Sequence, residues 1–208
     1  MRHLIRTLAL LLGCCAGTLA LAAPAMAGTP TDAIRATTSE VIRILHDEEL
    51  SSPARYEERR LLLDQIIGDR LTYEEISRRA LGGQWDRLSE GERDEFVQLF
   101  RSLLVNMYAG RIEDFGVNQM QFLAERTERG IAEVRARLVS RKSDIILDFR
   151  LVNRAGEWLV YDILTDGISL VNSYRQQFQR VLRFTSYSTL VEKLREATAR
   201  SGAALARN

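Results

Sequence analysis

The side chains that most often carry out acid–base and nucleophilic chemistry are scarce in this sequence. Histidine, cysteine and lysine do much of that work near neutral pH. After residue 27 the chain has one histidine, His46, two lysines, Lys142 and Lys193, and no cysteine. This poverty argues against an enzyme.

His46 is followed by Asp47, Glu48 and Glu49 at the end of a predicted helix. Metal sites in proteins normally gather several strong ligands at regular spacing, and one histidine beside three acidic residues does not provide such a set. We interpret this segment as a solvated helix end. The sequence therefore predicts no catalytic residue, no metal site and no cofactor.

Tyr161, Asp162 and Asp166 form the one cluster that could act as a general base with a phenol donor, as in isomerases built on a curved sheet. The alternative is structural: Asp166 caps a helix that begins at Gly167, and Asp162 anchors a turn or an ion pair. We favour the structural interpretation. Gly82 and Gly83 are no phosphate loop either, because no Lys and Ser or Thr follow them, and they predict a helix C-cap.

The first 27 residues are typical of a cleaved secretory signal. Arg2, His3 and Arg6 precede the apolar run 8–22, and Ala25-Met26-Ala27 provides a small-x-small cleavage pattern. We expect the mature chain to begin at Gly28 and to reside in the periplasm. A weaker alternative is lipoprotein cleavage before Cys14.

Without Arg2 and Arg6 the chain has 27 basic and 28 acidic residues, a net charge of −1. This balance argues against a nucleic-acid-binding protein, which would have a basic excess or stripe. Residues 28–196 are long enough for one domain with a sizeable core. Residues 197–208 lack an apolar stripe and predict a frayed tail.

The first half of the chain predicts helices, because apolar residues recur at steps of three and four. Ser52-Pro53 is a typical helix start. Thr72 with Glu75, and Ser89 with Glu92, are expected to form capping boxes. The helix that begins at Ser89 has the strongest stripe, from Phe96 to Tyr108, and is predicted to end at Gly110.

From about Val117 the apolar period becomes two, which indicates strands. Four are predicted, around 120–124, 134–138, 145–151 and 158–164, with turns at Gly130 and at 153–156. Helices from about Gly167 onward follow them. This order predicts a single α+β domain, a four-stranded antiparallel sheet with helices before and after it covering one face.

Large apolar side chains are abundant at core-facing positions of the sheet and of the helices on either side of it. They either form an ordinary core or line a cavity for an apolar ligand. The candidate lining residues are Phe100, Leu103, Leu104, Met107, Tyr108, Phe122, Leu138, Leu147, Phe149, Leu151, Tyr161, Ile163, Ile168, Val171, Tyr174 and Phe178.

Two blocks of this sequence carry a family resemblance. The first block is Ala80-Leu81-Gly82, Trp85, Leu88-Ser89, Arg93, Phe96, Leu99-Phe100 and Tyr108. The second comprises Gly156 to Ile163, Asp166 to Val171, Tyr174-Arg175 and Gln177-Phe178. Together they resemble the MlaC family, the toluene-tolerance auxiliary proteins of ABC-type phospholipid transport, with Thr165-Asp166 departing from the family pattern.

This resemblance implies a periplasmic, monomeric phospholipid carrier that catalyses no reaction. Its apolar cavity would lie between the sheet and the helices, and phospholipid would be cargo rather than cofactor. The implied partners are an inner-membrane MCE-type ABC transporter complex and an outer-membrane lipoprotein complex. Such a carrier would maintain outer-membrane lipid asymmetry. Two alternatives remain open: a non-catalytic adaptor of the same fold, and a small isomerase-like enzyme that uses Asp162.

Overall fold

A computed structural model of the protein describes residues 28–115, 117–140 and 143–205. The predicted signal segment, including Cys14, lies outside the described residues. The helices are α1 (Pro30–Leu45), α2 (Tyr56–Arg70), α3 (Tyr73–Leu81), α4 (Glu90–Phe115), α5 (Leu170–Phe184) and α6 (Tyr187–Leu205), with short 3-10 turns at Pro53–Arg55 and Gly82–Arg87. The strands are β1 (Val117–Glu128), β2 (Ile131–Ser140), β3 (Ile145–Arg154), β4 (Glu157–Thr165) and β5 (Ile168–Ser169).

Helix α1 begins at a complete capping box. The Thr29 side chain accepts a hydrogen bond from the Asp32 amide, the Asp32 carboxylate accepts one from the Thr29 amide, and Pro30 occupies the first turn. Ile34 packs against the sheet, whereas Val41 and Ile44 pack with Leu63 of α2. Helix α1 therefore joins the sheet to α2.

The box at Thr29 was not predicted, and one of the two predicted capping boxes forms. The Ser89 amide donates to Glu92 Oε2 at 2.8 Å, and the Ser89–Glu92 box precedes α4 as expected. The Thr72–Glu75 box was wrong, because Thr72 makes no side-chain cap bond and the buried Glu75 carboxylate instead accepts from Arg78 and Arg79. Gly82 ends α3 as predicted, with φ of 58°.

Helix α4 does not end at Gly110 but continues to Phe115, immediately before the sheet. Helix α6 is also longer than expected. We predicted that the chain frays from residue 197, whereas in the structure helix α6 extends to Leu205. Asn106 Nδ2 of α4 donates to the Thr198 carbonyl at 3.2 Å, which ties this last stretch to the domain.

The sheet is an antiparallel meander with strand order β1-β2-β3-β4-β5. It has five strands rather than the predicted four. Three of the four hairpin connections each place two successive residues at positive φ, which matches the right-handed twist of the flanking strands. These pairs are Arg129-Gly130, Ala155-Gly156 and Asp166-Gly167.

The predicted helix cap at Asp166 was wrong. Asp166 and Gly167 form the turn into the short strand β5, which pairs with the end of β4. Helix α5 begins only at Leu170, and its N-cap is Ser169, whose hydroxyl accepts from the Asn172 amide at 2.9 Å. Asp-Gly is a strong hairpin signal, and here it prevails over the helical periodicity that follows.

The apolar interior is divided into clusters. The helix cluster is shared by α3, α4, α5 and α6 and includes Phe96, Phe100 and Phe178. The sheet cluster lies between α1 and the inner sheet face and includes Val134, Phe149 and Leu151. Across the described part of the chain, no helix is long and apolar enough to span a bilayer.

Candidate functional site

The helix cluster is tightly packed around aromatic rings. The ring centroids of Phe100 and Tyr174 are 4.9 Å apart, and those of Phe100 and Phe178 are 5.2 Å apart, both in edge-on geometry. Phe96 and Phe100 are at most 1% exposed. Such pairs add stability beyond the area they bury. This cluster has the character of a solid core.

The sheet cluster covers the inner face of the sheet near its β2–β3 centre. Val134 and Leu151 are fully buried and pack beneath Ile34 of α1, with the small residues Ala132 and Ala136 beside them. Small side chains on β2 allow α1 to approach the sheet closely. Helix α1 thus covers one part of the inner face.

At the margins of the two clusters, apolar side chains are only half-buried. We call them the margin residues. Leu71 contacts both clusters, so the two margins meet near the end of α2. Half-buried apolar side chains of this kind occur at the edge of any core, and here they are the candidate contact surface for an apolar ligand. The margin residues are Leu71, Val97, Tyr108, Met120, Leu147 and Ile163.

The predicted lining residues fall on the two sides of this boundary. Phe100, Leu103, Leu104, Tyr108, Val171, Tyr174 and Phe178 belong to the helix cluster or pack on it. Phe122, Leu147, Phe149, Leu151 and Ile163 belong to the sheet cluster or pack on it, and Leu138 lies next to Leu147 and Met120.

Three predicted lining residues lie apart from the rest. Ile168 in β5 is 70% exposed and Met107 of α4 is 38% exposed. The ring of Tyr161 stacks under the Arg79 guanidinium at 3.9 Å and lines a shallow surface recess with Glu133 and Arg150. A bulge between Arg150 and Leu151 leaves Tyr161 as the extra residue of β4, so alternation counted back from the inward-facing Ile163 does not hold there.

Asp162 is a structural carboxylate, as the favoured interpretation predicted. It is 4% exposed, its Oδ1 accepts from the Val171 amide at 3.0 Å, and its Oδ2 accepts from the Ser169 hydroxyl at 2.7 Å. Arg150 Nη1 lies 3.4 Å from Oδ2. These contacts fix the start of α5 against β4. Both oxygens of the Asp162 carboxylate therefore accept structural hydrogen bonds.

The burial of one acidic residue, Glu75, was not predicted from the sequence. Glu75 is 5% exposed and pairs with Arg78, Arg79 and Arg154. Burial alone would raise the pKa of Glu75, but the hydrogen bonds from Arg78 and Arg79 outweigh it and lower the pKa. Arg78 and Arg79 lie on α3 together with Glu75, and the links from this group to the sheet are the Arg154–Glu75 ion pair and the contact of Arg79 with the Tyr161 ring.

A second polar group missed from the sequence joins α2 to α4. Arg101 Nη2 lies 4.0 Å from Asp64 Oδ2, and the guanidinium lies 5.2 Å from the centre of the Tyr73 ring. Burial, assisted by the nearby Asp64 charge, raises the pKa of Tyr73 to about 12. The sequence signal that could have singled out Arg101 is its spacing, since Val97 lies four residues before it and Tyr108 seven after it, on the same face of α4.

His46 lies at the C-cap of α1, where its Nδ1 is 2.9 Å from the Ile42 carbonyl oxygen. It is exposed, as expected for a solvated helix end. Among the described residues no group of three or more His, Cys, Asp and Glu side chains is arranged to hold a metal ion.

Comparisons with known proteins agree on one family. The family model described as "MlaC protein" matches residues 35–196. The intermembrane phospholipid transport system binding protein MlaC of Haemophilus influenzae is 23% identical over 125 residues, which are 57% of this chain and 58% of that protein. The chain therefore spans less than two thirds of this curated relative.

A solved structure has the same fold. It is the phospholipid-binding protein of Ralstonia solanacearum in complex with a phospholipid. It superposes with a TM-score of 0.73, covers 84% of this chain and 99% of its own, and is 22% identical. The α+β architecture is thus shared with a protein that holds a phospholipid.

Proposed function

Because this chain belongs to the MlaC family, we propose that it is a phospholipid carrier whose cargo lies with its acyl chains between the helix cluster and the inner face of the sheet. The observation that carries this proposal is the divided interior. Two packed clusters are both contacted by Leu71, and each is edged by half-buried apolar residues, Tyr108 on the helix cluster and Leu147 and Ile163 on the sheet cluster.

The comparisons support this choice of ligand. A protein of the same fold was solved with a phospholipid, and the Haemophilus relative is named for phospholipid transport. Apolar margin residues at the edges of both the helix cluster and the sheet cluster suit acyl chains, which need apolar contact on two sides. A sugar or a nucleotide would require convergent polar groups instead.

The energetics explain why such a carrier is useful. Transfer of a phospholipid with about 30 methylene groups from a bilayer into water would cost roughly 20 kcal/mol. A protein that covers those methylenes removes most of this barrier. Because a bilayer covers them equally well, loading and unloading are nearly balanced in free energy, and the direction of transport must come from partner proteins.

Its setting is part of the proposal. Residues 1–27 are typical of a secretory signal, which supports action in the periplasm. The carrier would act there as a monomer. It would exchange lipid with an inner-membrane MCE-type ABC transporter complex and an outer-membrane lipoprotein complex and so maintain the lipid asymmetry of the outer membrane. No reaction is involved, since Asp162, the candidate base, binds the start of α5.

The test is to purify the protein from the envelope of its own cells, extract it with organic solvent and identify the lipids by mass spectrometry. We expect phospholipid in a fixed ratio to protein, and an intact mass that corresponds to a chain beginning at Gly28. A protein that purifies empty and remains empty after incubation with phospholipid would contradict the carrier function and favour the adaptor.

A further inference from the structure

The junction between α2 and α4 has a polar contact between Asp64 and Arg101, and one turn earlier on α2 it is exposed to solvent. Leu61, Asp64 and Gly68 lie on one face of α2, because they are spaced three and four residues apart. Asp64 Oδ2 is 4.0 Å from Arg101 Nη2, which itself lies 3.5 Å from the position that a Cβ at Gly68 would take. One turn earlier, Leu61 is 59% exposed. The junction therefore closes at Arg101 and opens to solvent at Leu61.

Arg101 shares one face of α4 with two apolar margin residues. Val97 and Tyr108 lie four residues before and seven after Arg101, on the same face of the helix. Both are half-buried and pack on the helix cluster. A charged group thus stands beside the apolar surface proposed to contact acyl chains, at the place where the surface reaches water.

Arg101 is held in position but only loosely paired. Its guanidinium lies 5.2 Å from the centre of the Tyr73 ring. Its ion pair with Asp64 is at the long limit of 4.0 Å, with side chains 43% and 26% exposed. Ion pairs of this kind contribute little stability, so a stronger anion can replace the carboxylate. Phosphate matches the planar guanidinium through two parallel hydrogen bonds.

We propose that Arg101 binds the phosphate of the lipid headgroup, and that this phosphate displaces Asp64. The assignment rests on the proposed carrier function. With the phosphate at Arg101, the acyl chains would lie along the face of α4 that has Val97 on one side of Arg101 and Tyr108 on the other, and the headgroup alcohol would extend toward solvent beside Leu61. The carrier then selects for the presence of a phosphate but tolerates different headgroup alcohols.

The experiment uses the delipidated full mature chain and two lipids with identical acyl chains, dioleoyl phosphatidylglycerol and dioleoylglycerol. Both are presented together in micelles of a phosphate-free detergent, and bound lipid is quantified by mass spectrometry. The variants are Arg101→Ala, Arg101→Lys and Asp64→Asn. The matched control is Arg60→Ala, which removes an arginine of α2 that pairs with Glu57 instead.

We expect the wild type to prefer the phospholipid about tenfold, the selectivity of one charge-assisted contact. Arg101→Ala should abolish this preference without loss of dioleoylglycerol binding, and Arg101→Lys should retain part of it. Asp64→Asn should raise phospholipid uptake severalfold, because the competing carboxylate is gone. Arg60→Ala should behave as wild type.

Three results would overturn the assignment. The first is an undiminished preference in Arg101→Ala, and the second is unchanged phospholipid uptake in Asp64→Asn, a test that holds even if Arg101→Ala does not fold. The third is equal uptake of the two lipids by the wild type while glycerol 3-phosphate binds to the wild type and not to Arg101→Ala, which would make Arg101 a site for free phosphate. If the wild type binds neither lipid, the carrier function itself fails, which is a separate outcome.

Discussion

Two leucines on the inner face of the same strand provide the sharpest test of where the acyl chains lie. Leu147 and Leu151 both lie on β3 and both were predicted to line the cavity. Leu151 is 0% exposed inside the sheet cluster, whereas Leu147 is a half-buried margin residue. We therefore expect Leu147→Gln and Leu151→Gln to have different effects, although the chemical change is the same.

The magnitudes follow from burial. Leu151→Gln loses roughly 2–3 kcal/mol of apolar transfer and encloses an amide without a partner, at a further cost of about 1–3 kcal/mol. The total is a large part of the 5–15 kcal/mol that stabilises a typical domain. The Leu147 side chain is already partly hydrated and its replacement can reach water, so we expect a loss of about 1 kcal/mol. At this chain length that corresponds to a Tm lowered by roughly 2–4 °C.

The assay combines thermal unfolding by circular dichroism with quantification of bound phospholipid. Leu147→Gln should remain folded but bind little lipid, because the amide occupies the apolar surface. Leu151→Gln should lower the Tm by about 10 °C or more. Equal destabilisation by both substitutions, or full lipid binding by Leu147→Gln, would refute the distinction between cluster and margin.

Three further predictions concern single side chains. The pKa of Glu75 is lowered in the folded state, so its contribution to the unfolding free energy is present above its ordinary pKa of 4.5 and is lost as the pH falls through the folded value. Glu75→Gln should therefore weaken the dependence of the unfolding free energy on acid pH, measured by urea titration at several pH values. An unchanged pH dependence would argue against the ion-pair cluster. Burial raises the pKa of both Tyr73 and Tyr187 to about 12; ultraviolet titration at pH 11 should find these two protonated, and Tyr73→Phe should remove one late-ionising group. His46→Ala should leave lipid binding unchanged, since His46 is exposed at a helix end, and a large loss of binding would reveal an overlooked site.

The layered architecture was predictable because its signals are local. Alternation of apolar residues gave the strands β1 to β4, and the Ser89–Glu92 box located the start of α4. The family resemblance carried by two blocks agrees with the match over residues 35–196. The strand β5 was missed because it has only two residues, and a two-residue strand has no measurable period.

The site was less predictable, because burial depends on how elements pack. Periodicity puts Leu147 and Leu151 on the same face, but in the folded chain Leu151 lies inside the sheet cluster whereas Leu147 packs at its edge, beside Leu138 and Ile145. Tyr161 was misassigned because the bulge beside it interrupts the alternation. The buried Glu75 was taken for a capping residue, since its partner Arg154 is 79 residues away in the sequence.

The most direct test of the carrier account is to locate the acyl chains. A phospholipid with a photoreactive diazirine near the end of one chain is loaded into the protein and irradiated, and the labelled peptides are identified by mass spectrometry. We predict labelling on the margin residues of both sides, in the peptides that contain Tyr108, Leu147 and Ile163. Labelling confined to the outer sheet face around Arg135 and Asp148, which form an ion pair there, would contradict the account.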